Sequence, residues 1–488
     1  MEDIVRLGGL RRIEQFIEHL ATLGLDLPVE TDLEAAPASP LAQPLSADGL
    51  TAGNRFCVHP MEGWDCLADG NPGPNTTRRW ERFGRSGAKL IWGCEAAAVR
   101  HDGRANPQQL VVAEHTVDNI AALYGRLRAA HEEAHGSTDG LVVGLQLTHS
   151  GRFCKPNDWA KLEPRIAYHH PLLDARFHIP PDYPVLTDEQ IREYIADYAR
   201  AAKLAQQIGF DFVDLKHCHG YLGHELLSAY DRPGDFGGSF EGRTRFLVEL
   251  VEAVRAAAPG LHIGVRLSAF DRPPFKPDPA HDGADGKRGR GVPDSWEQCL
   301  PYPGFGLDRE HPLQSDLSET RQFLALLDQL GIHWVNLTAG SPYYNPHLQR
   351  PAFYPPSDGY QLFEDPLYSV AAQIHAVREL QAAFPQHAIV GTGYTYLQEW
   401  LPHVAQAVVR QGWVGSIGLG RMVLSYPELP ADVLAGRKMV RKAICRTFSD
   451  CTTGPRNALV SGCYPLDPYY RDAPEHEVLK QIKEAQNV

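Results

Sequence analysis

The run Lys216-His217-Cys218-His219-Gly220-Tyr221 places an ammonium, two imidazoles, a thiol and a phenol within six residues. His219 and Tyr221 stand two apart at the end of an apolar run. They can face one side while residue 220 points away, and Gly220 leaves a ligand room. An imidazole beside a phenol offers hydrogen bonds and a proton where negative charge develops on a reacting molecule. Two further runs, Gly391-Thr-Gly393-Tyr394 and Gly418-Leu-Gly420-Arg421, have the chemistry of an anion cradle. Their glycines let backbone N–H groups approach a phosphate, and Arg421 adds a forked, charged donor. Tight turns are the other reading of the same glycines. Gln146-Leu-Thr-His149-Ser-Gly-Arg152 and Arg266 are the remaining polar residues at the ends of apolar runs. His149 reads better as a packing residue, and His217 and Cys218 as strand neighbours without chemistry.

These residues need a repeat to position them. Eight short apolar, β-branched runs, at 54–60, 88–96, 141–149, 210–218, 262–270, 333–340, 387–393 and 414–421, alternate with segments of helical period. One such segment, 187–208, opens with the capping-box spacing Thr187-x-x-Gln190. Another, 243–258, keeps Phe246, Leu247, Leu250, Val251 and Val254 on one face. Eight β-α units with near-continuous apolar strands predict a (β/α)₈ TIM barrel, in which the loops after the strands build the active site. An open doubly wound sheet is the rival, but Met61-Glu62-Gly63-Trp64 follows the first strand where a glycine fingerprint would stand. An N-terminal helix (10–24) and a Pro/Ala/Ser-rich linker fill residues 1–48. The barrel occupies 49–436, with an insertion after strand five at 271–315 that is expected to border or cover the active site. A cysteine-containing extension fills 437–488.

The 488 residues carry a net charge of −13, which argues against a nucleic-acid partner. No apolar stretch approaches a membrane span, and the first residues lack a secretory signal. Nine scattered cysteines without a CxxC pair read as a reducing compartment, hence cytoplasm. Association into a homo-oligomer is left open.

The run Asp214-Leu-Lys-His-Cys-His219-Gly-Tyr221-Leu is followed by Glu225-Leu-Leu-Ser228, Gly237-Gly238-Ser239 and Glu241-Gly-Arg243-x-Arg245-Phe246. Together they resemble the strand-four signature of the old yellow enzyme family of FMN oxidoreductases. Asn54-Arg55 to Pro60-Met61, Glu95-Ala96, Gln146-x-x-His149-x-Gly151-Arg152, Arg266 and Gly420-Arg421 are similar to other blocks of that family, in order. The resemblance implies an FMN-binding barrel served by NADH or NADPH and acting on a small molecule. Pro60, Met61, the backbone of Glu62 and Ala96 would lie along the flavin. Gln146 would bond its pyrimidine, and Arg266 would place positive charge at the N1–C2 carbonyl edge. Gly391, Gly393, Tyr394, Gly420 and Arg421 would hold the phosphate. His219 would bind the substrate's electron-withdrawing group, and Tyr221 would protonate the face opposite the hydride from flavin N5. The implied reaction is reduction of an activated C=C bond. The alternatives are oxidative amine demethylation with an external electron acceptor, and a flavin-binding barrel that has lost catalysis.

Four features depart from the family. Lys216 replaces a His or neutral residue. Glu62 stands where Thr or Cys is usual, and Gly242 where Asn is usual. The tail resembles the branch of 2,4-dienoyl-CoA reductase and trimethylamine dehydrogenase, where four cysteines bind an iron–sulfur cluster. Here Cys445, Cys451 and Cys463 remain, and Phe448 stands near the missing position. Three thiolates hold a cluster only with another kind of fourth ligand, so an iron–sulfur cluster is not expected. Zinc on these cysteines with a His or Asp is the lesser alternative, and no residue is assigned as a metal ligand. The large nucleotide-binding domains of that branch are not expected either. Lys216 is expected to pair with Glu62, or with Asp65 or Asp214, or to grip a carboxylate or carbonyl of the substrate and act with Tyr221 and His219.

Overall fold

The computed structural model describes residues 4–281 and 288–486. Eight parallel strands close into a barrel: β1 Phe56–Val58, β2 Leu90–Ile91, β3 Val142–Thr148, β4 Phe212–His217, β5 His262–Ser268, β6 Trp334–Thr338, β7 Ala388–Gly391 and β8 Ser416–Leu419. Each strand pairs with its sequence neighbours. Ile417 against Phe56 joins β8 to β1, and Leu90 against Val142 joins β2 to β3. The TIM barrel predicted from the repeat is therefore the fold, and every strand lies within its apolar run. The second run differs in being broken. Leu90–Ile91 stops, Cys94 turns into the left-handed region (φ +45°), and Ala96–Ala98 resumes pairing with β3. The break lets the Glu95 carboxylate reach Arg79.

Period-two alternation divides each strand between two environments. On β4, Val213 and Leu215 pack outward into the main core, beneath the helices. Phe212, Asp214 and Lys216 take the other parity. Phe212 joins Trp92, Trp334 and Val390 in a separate apolar cluster at the N-terminal end of the barrel. Trp92 meets Phe212 edge-on, with centroids 5.1 Å apart. Polar side chains follow one pleat higher: Gln146, Asp214, Arg266 and Asn336, all buried. Lys216 and the loops complete the C-terminal mouth.

Helices α1 Pro74–Gly84, α2 Val117–His135, α3 Asp188–Ile208, α4 Phe240–Ala257, α5 Ser318–Gln329, α6 Leu367–Ala383 and α7 Leu401–Arg410 cover the barrel. The predicted capping box begins α3. Thr187 Oγ1 accepts from the Gln190 N–H at 3.2 Å, and Gln190 Oε1 accepts from the Thr187 N–H at 2.9 Å. Such a cap is worth about 1 kcal/mol. The N-terminal helix is Ile13–Thr22, and its Phe16 stacks on Trp400. A hairpin, Leu45–Ala47 with Leu50–Ala52, closes the barrel floor, where the Trp334 indole N–H donates to the Ala47 carbonyl at 2.9 Å. No helix among the described residues is long and apolar enough to cross a membrane.

Two segments lie differently from the sequence reading. The described part of the insertion forms a small ribbon, Phe275–Pro277 against Gly291–Pro293, that packs on Tyr360 and Phe363 of the loop after β6. None of it lines the large cavity at the barrel mouth; the C-terminal extension does. The extension folds back over the mouth. Ser461 accepts from the Trp64 N–H, and Thr447 accepts from the Phe353 N–H.

Candidate active site

A cavity of about 270 Å³ opens at the C-terminal end of the strands. It gathers Pro60, Met61 and Glu62 after β1, Ala96 and Gln146, then Lys216, His219 and Tyr221 after β4, Arg266, Gly393, Gly420 and Arg421. Of the residues expected at the site, Gly391 and Tyr394 stand behind this wall. Tyr394 is fully buried in the core beneath the β7 loop. His149 stacks on Tyr194 at 4.4 Å, outside the cavity, and His217 packs against Phe246 and Phe323.

At the cavity floor the Gln146 amide N–H donates to Asp214 at 2.5 Å. The other Asp214 oxygen accepts from the Arg266 backbone N–H at 2.7 Å. Burial lifts the Asp214 carboxyl to about 6. Committing the Gln146 nitrogen to Asp214 turns its amide oxygen to other partners. The Arg266 guanidinium reaches the Pro60 carbonyl at 3.2 Å and keeps a buried Nε without a partner.

The wall above is made of Glu62, Tyr221, Tyr343, Lys216 and His219. A buried network sets the loop that carries Glu62: Arg79 binds both Asp65 and Glu95, and Glu95 accepts the Gly63 N–H. Glu62 Oε2 accepts from the Tyr221 hydroxyl at 2.5 Å. Its Oε1 accepts from the Trp64 indole at 3.1 Å and the Asn106 amide at 3.3 Å. Burial raises the Glu62 pKa, against the pull of nearby Lys216. Tyr343 shares its hydroxyl with that of Tyr221 at 2.7 Å. Burial, then the Glu62 charge, holds the Tyr221 phenol well above its ordinary range, so it stays protonated at neutral pH. The expected Lys216–Glu62 pair takes another form. Lys216 Nζ stands 3.8 Å over the Tyr221 ring centroid, a cation–π contact, and Glu62 gives its oxygens to the phenol and its neighbours. Burial lowers the Lys216 pKa.

His219 adopts φ +68°, a left-handed conformation costly for a residue with a Cβ. Two bonds hold it. Its N–H donates to Ser268 Oγ at 3.0 Å, and its carbonyl accepts from Ser341 at 2.8 Å. The ring lies 3.3 Å from the Gln349 amide nitrogen and 3.5 Å from Thr338 Oγ1. Burial, reinforced by Arg266 and Lys216, keeps it neutral.

The far end of the cavity is cationic. Arg421 follows β8, and its Nη2 donates to the Pro351 carbonyl at 2.6 Å while Nη1 is buried without a partner. Arg350, on the loop after β6, was not anticipated from the sequence. Its Nη1 donates to Thr452, whereas Nε and Nη2, the two-toothed edge of the guanidinium, are buried and unpartnered. Burial and the neighbouring Arg421 push the Arg350 pKa down. Two half-buried arginines whose free donor nitrogens are buried, with no ion-paired carboxylate among the described residues, fit an oxyanion bearing two negative charges. Gly393 (φ +91°) and Gly420 bring backbone to the same end. Gly418 has a different reason: a Cβ there would collide with the His59 imidazole at 2.1 Å. His59 itself lines the cavity, buried and neutral. The cationic end and the polar floor, with Pro60, Met61 and Ala96 as apolar lining, therefore fit the phosphate and ring system of FMN.

Cys445, Cys451 and Cys463 line one small adjoining cavity with Phe448 and Arg421. Tyr343, Gln349, Arg350 and Arg456 also line the main cavity and lie outside every motif noticed in the sequence. Their only advance signal was their place after β6 and in the tail.

Residues 40–279 match the family model described as NADH:flavin oxidoreductase / NADH oxidase family. The NADPH dehydrogenase of Bacillus velezensis is 32% identical over 245 residues, 48% of this chain and 65% of that protein. Among solved structures, 2-naphthoyl-CoA reductase is similar with a TM-score of 0.63 at 17% identity, covering 90% of this chain and 58% of its own. Histamine dehydrogenase from Rhizobium sp. 4-9 is similar with a TM-score of 0.60 at 22% identity, covering 88% and 52%. The matches thus span less than two thirds of each relative's own length.

Proposed function

We propose that this chain, whose barrel belongs to the NADH:flavin oxidoreductase / NADH oxidase family, binds FMN in the mouth cavity and reduces an activated C=C bond with NADH or NADPH as reductant. The carrying observation is Tyr221: a protonated phenol facing the cavity, bonded to Glu62 and covered by Lys216. Bound there, FMN would supply hydride exchange between the nicotinamide and the substrate. Arg350 and Arg421 would hold its phosphate, and Gln146 and Arg266 the polar edge of its ring. Arg266 keeps a fixed positive charge where negative charge would gather on reduction.

The protein's remaining task is to manage charge and protons. His219, neutral, offers an N–H to a carbonyl or nitro oxygen without placing another cation beside Arg266 and Lys216. Tyr221 gives its proton to the carbon that has become basic. The phenolate left behind lies under Lys216, whose charge opposes the build-up of negative charge on the ring. Glu62 stands on the Tyr221 oxygen as a carboxylate and, its pKa raised by burial, can take up a proton from water entering the cavity and pass it to the phenolate.

Anaerobic addition of NADPH or NADH to FMN-loaded protein should bleach the flavin, and 2-cyclohexenone should restore the colour with release of cyclohexanone. A second reading rests on Glu62, a half-buried carboxylate at the cavity wall that suits a cationic amine. Bleaching by histamine or trimethylamine, with neither nicotinamide active, would favour an amine dehydrogenase and overturn the ene-reductase reading.

A further inference from the structure

We propose that the opposite end of the barrel carries a zinc-type metal site formed by Asp328, His333 and His387. The three residues come from separate elements: Asp328 from the last turn of α5, His333 from the residue before β6, and His387 from the residue before β7. One ligand atom from each lies within 4.8 Å of the others. His387 Nε2 is 2.8 Å from Asp328 Oδ1, and His333 Nε2 is 3.3 Å from the same oxygen. A tetrahedron built on bonds of about 2.0–2.1 Å has edges of about 3.3 Å, so small rotations bring all three onto one ion.

A fourth residue supplies what a metal-bound imidazole needs behind it. His333 Nδ1 meets Asp48 Oδ1 at 2.5 Å, and Asp48 Oδ2 accepts the His333 backbone N–H at 2.8 Å. That bond fixes the Nδ1–H tautomer and leaves the Nε2 lone pair aimed at Asp328. A carboxylate behind a histidine in this way orients the ring and raises its basicity toward a metal. Gln386 orients the carboxylate in turn, donating to Asp328 Oδ2 at 2.5 Å. Charge points the same way. The Asp48 and Asp328 carboxylates face one another across the His333 ring. A divalent ion between His333 Nε2 and Asp328 Oδ1 would neutralise both carboxylates. His387 is buried while His333 and Asp328 are about 30% exposed, which leaves the outer coordination position open to water. Such an ion would pin the floor hairpin, through Asp48, to the bases of β6 and β7.

The test needs no flavin chemistry. FMN-loaded protein stripped with chelator is dialysed against micromolar zinc, assayed for metal, and examined by zinc-edge X-ray absorption. One zinc per chain is expected, with nitrogen and oxygen neighbours at about 2.0–2.1 Å and no sulfur at about 2.3 Å. Zinc should also raise the Tm. Asp48→Asn should weaken binding by about 10- to 100-fold, as loss of an outer partner does. Asp328→Asn and His333→Gln should abolish both the binding and the Tm rise. A sulfur shell would move the metal to cysteines and overturn the assignment. So would failure of the parent protein to retain zinc, or unchanged binding in folded Asp328→Asn.

Discussion

Arg350→Met separates the cost of an empty cationic site from its use. In the protein without FMN, Arg350 and Arg421 are two half-buried cations with buried free donors, and burial and then Arg421 lower the Arg350 pKa. Arg350 spends one nitrogen on Thr452 and keeps Nε and Nη2 free, whereas Arg421 spends Nη2 on Pro351 and keeps one free nitrogen. Methionine retains most of the apolar stem, loses one hydrogen bond to a hydroxyl, and removes a cation that pays desolvation without a partner. The apoprotein should therefore keep its Tm or gain slightly. FMN binding should weaken. A charge-assisted hydrogen bond contributes about 1.5–3 kcal/mol, which is about 10- to 150-fold in Kd. Arg350→Met should lie toward the upper end because a two-toothed contact is lost, and Arg421→Ala toward the lower. Quenching of flavin fluorescence on titration into apoprotein reads both, and riboflavin, which has no phosphate, is the control. Its affinity should be nearly unchanged in both variants. Equal weakening for FMN and riboflavin would refute the assignment, because it would mean the cavity had changed shape. A markedly less stable Arg350→Met apoprotein would refute the account of the unpaired cation.

Tyr221→Phe should slow reoxidation of the reduced flavin by 2-cyclohexenone about 10²- to 10⁴-fold and leave reduction by NADPH nearly intact, since the proton is needed only in the former; stopped-flow traces of the two half-reactions decide, and equal losses would make the role structural. Lys216→Met should leave FMN affinity and Tm unchanged or raise the latter, because no carboxylate among the described residues is in ion-pair contact with Lys216, while slowing the enone half-reaction about 2- to 30-fold, the equivalent of about 0.5–2 kcal/mol for a desolvated cation–π contact. A lower Tm rescued by Glu62→Gln would show direct pairing instead. Glu62→Gln tests the buried carboxylate by pH. Its folded pKa is raised, so the native protein holds a proton that the unfolded chain has already released, and ionisation weakens the fold as pH rises through that window. The Tm of Glu62→Gln minus that of the parent should therefore grow as pH rises from the ordinary carboxylate range toward neutrality; a flat or shrinking difference would contradict it.

The barrel was legible because its signal is repeated eight times and depends on local pattern. Apolar runs mark strands, and their polar ends mark the mouth. Inside a run, parity separates Phe212, Asp214 and Lys216 from Val213, Leu215 and His217, and that separation is what the folded barrel contains. What stayed hidden depends on long-range folding. Arg350 sits in a stretch, Leu348-Gln-Arg-Pro351, with no motif around it, and joins Arg421 at the cavity only because the loop after β6 crosses to β8. The insertion at 271–315 is expected to border or cover the mouth because it follows a barrel strand. The aromatic pair Tyr360 and Phe363 instead draws Phe275 to the flank, and the C-terminal extension covers the mouth.

Glu62 and Lys216 show how far composition alone carries an argument about a site. Two odd charges of opposite sign, expected in one pocket, suggest an ion pair. The folded geometry inserts Tyr221 between them: its hydroxyl on the carboxylate, its ring beneath the ammonium. That insertion changes the chemistry. A direct pair would neutralise both charges and leave the phenol an ordinary weak acid. With the phenol between them, the carboxylate favours the protonated phenol, and in the proposed reaction the ammonium would stabilise the ring after the proton has left. In the proposed reaction the two departures from the family pattern would act on opposite sides of one proton transfer, and removing both together should cost less than the sum of the single losses. A double-mutant cycle of Glu62→Gln and Lys216→Met on the enone half-reaction measures that coupling. Strict additivity would mean that the two charges do not act through Tyr221.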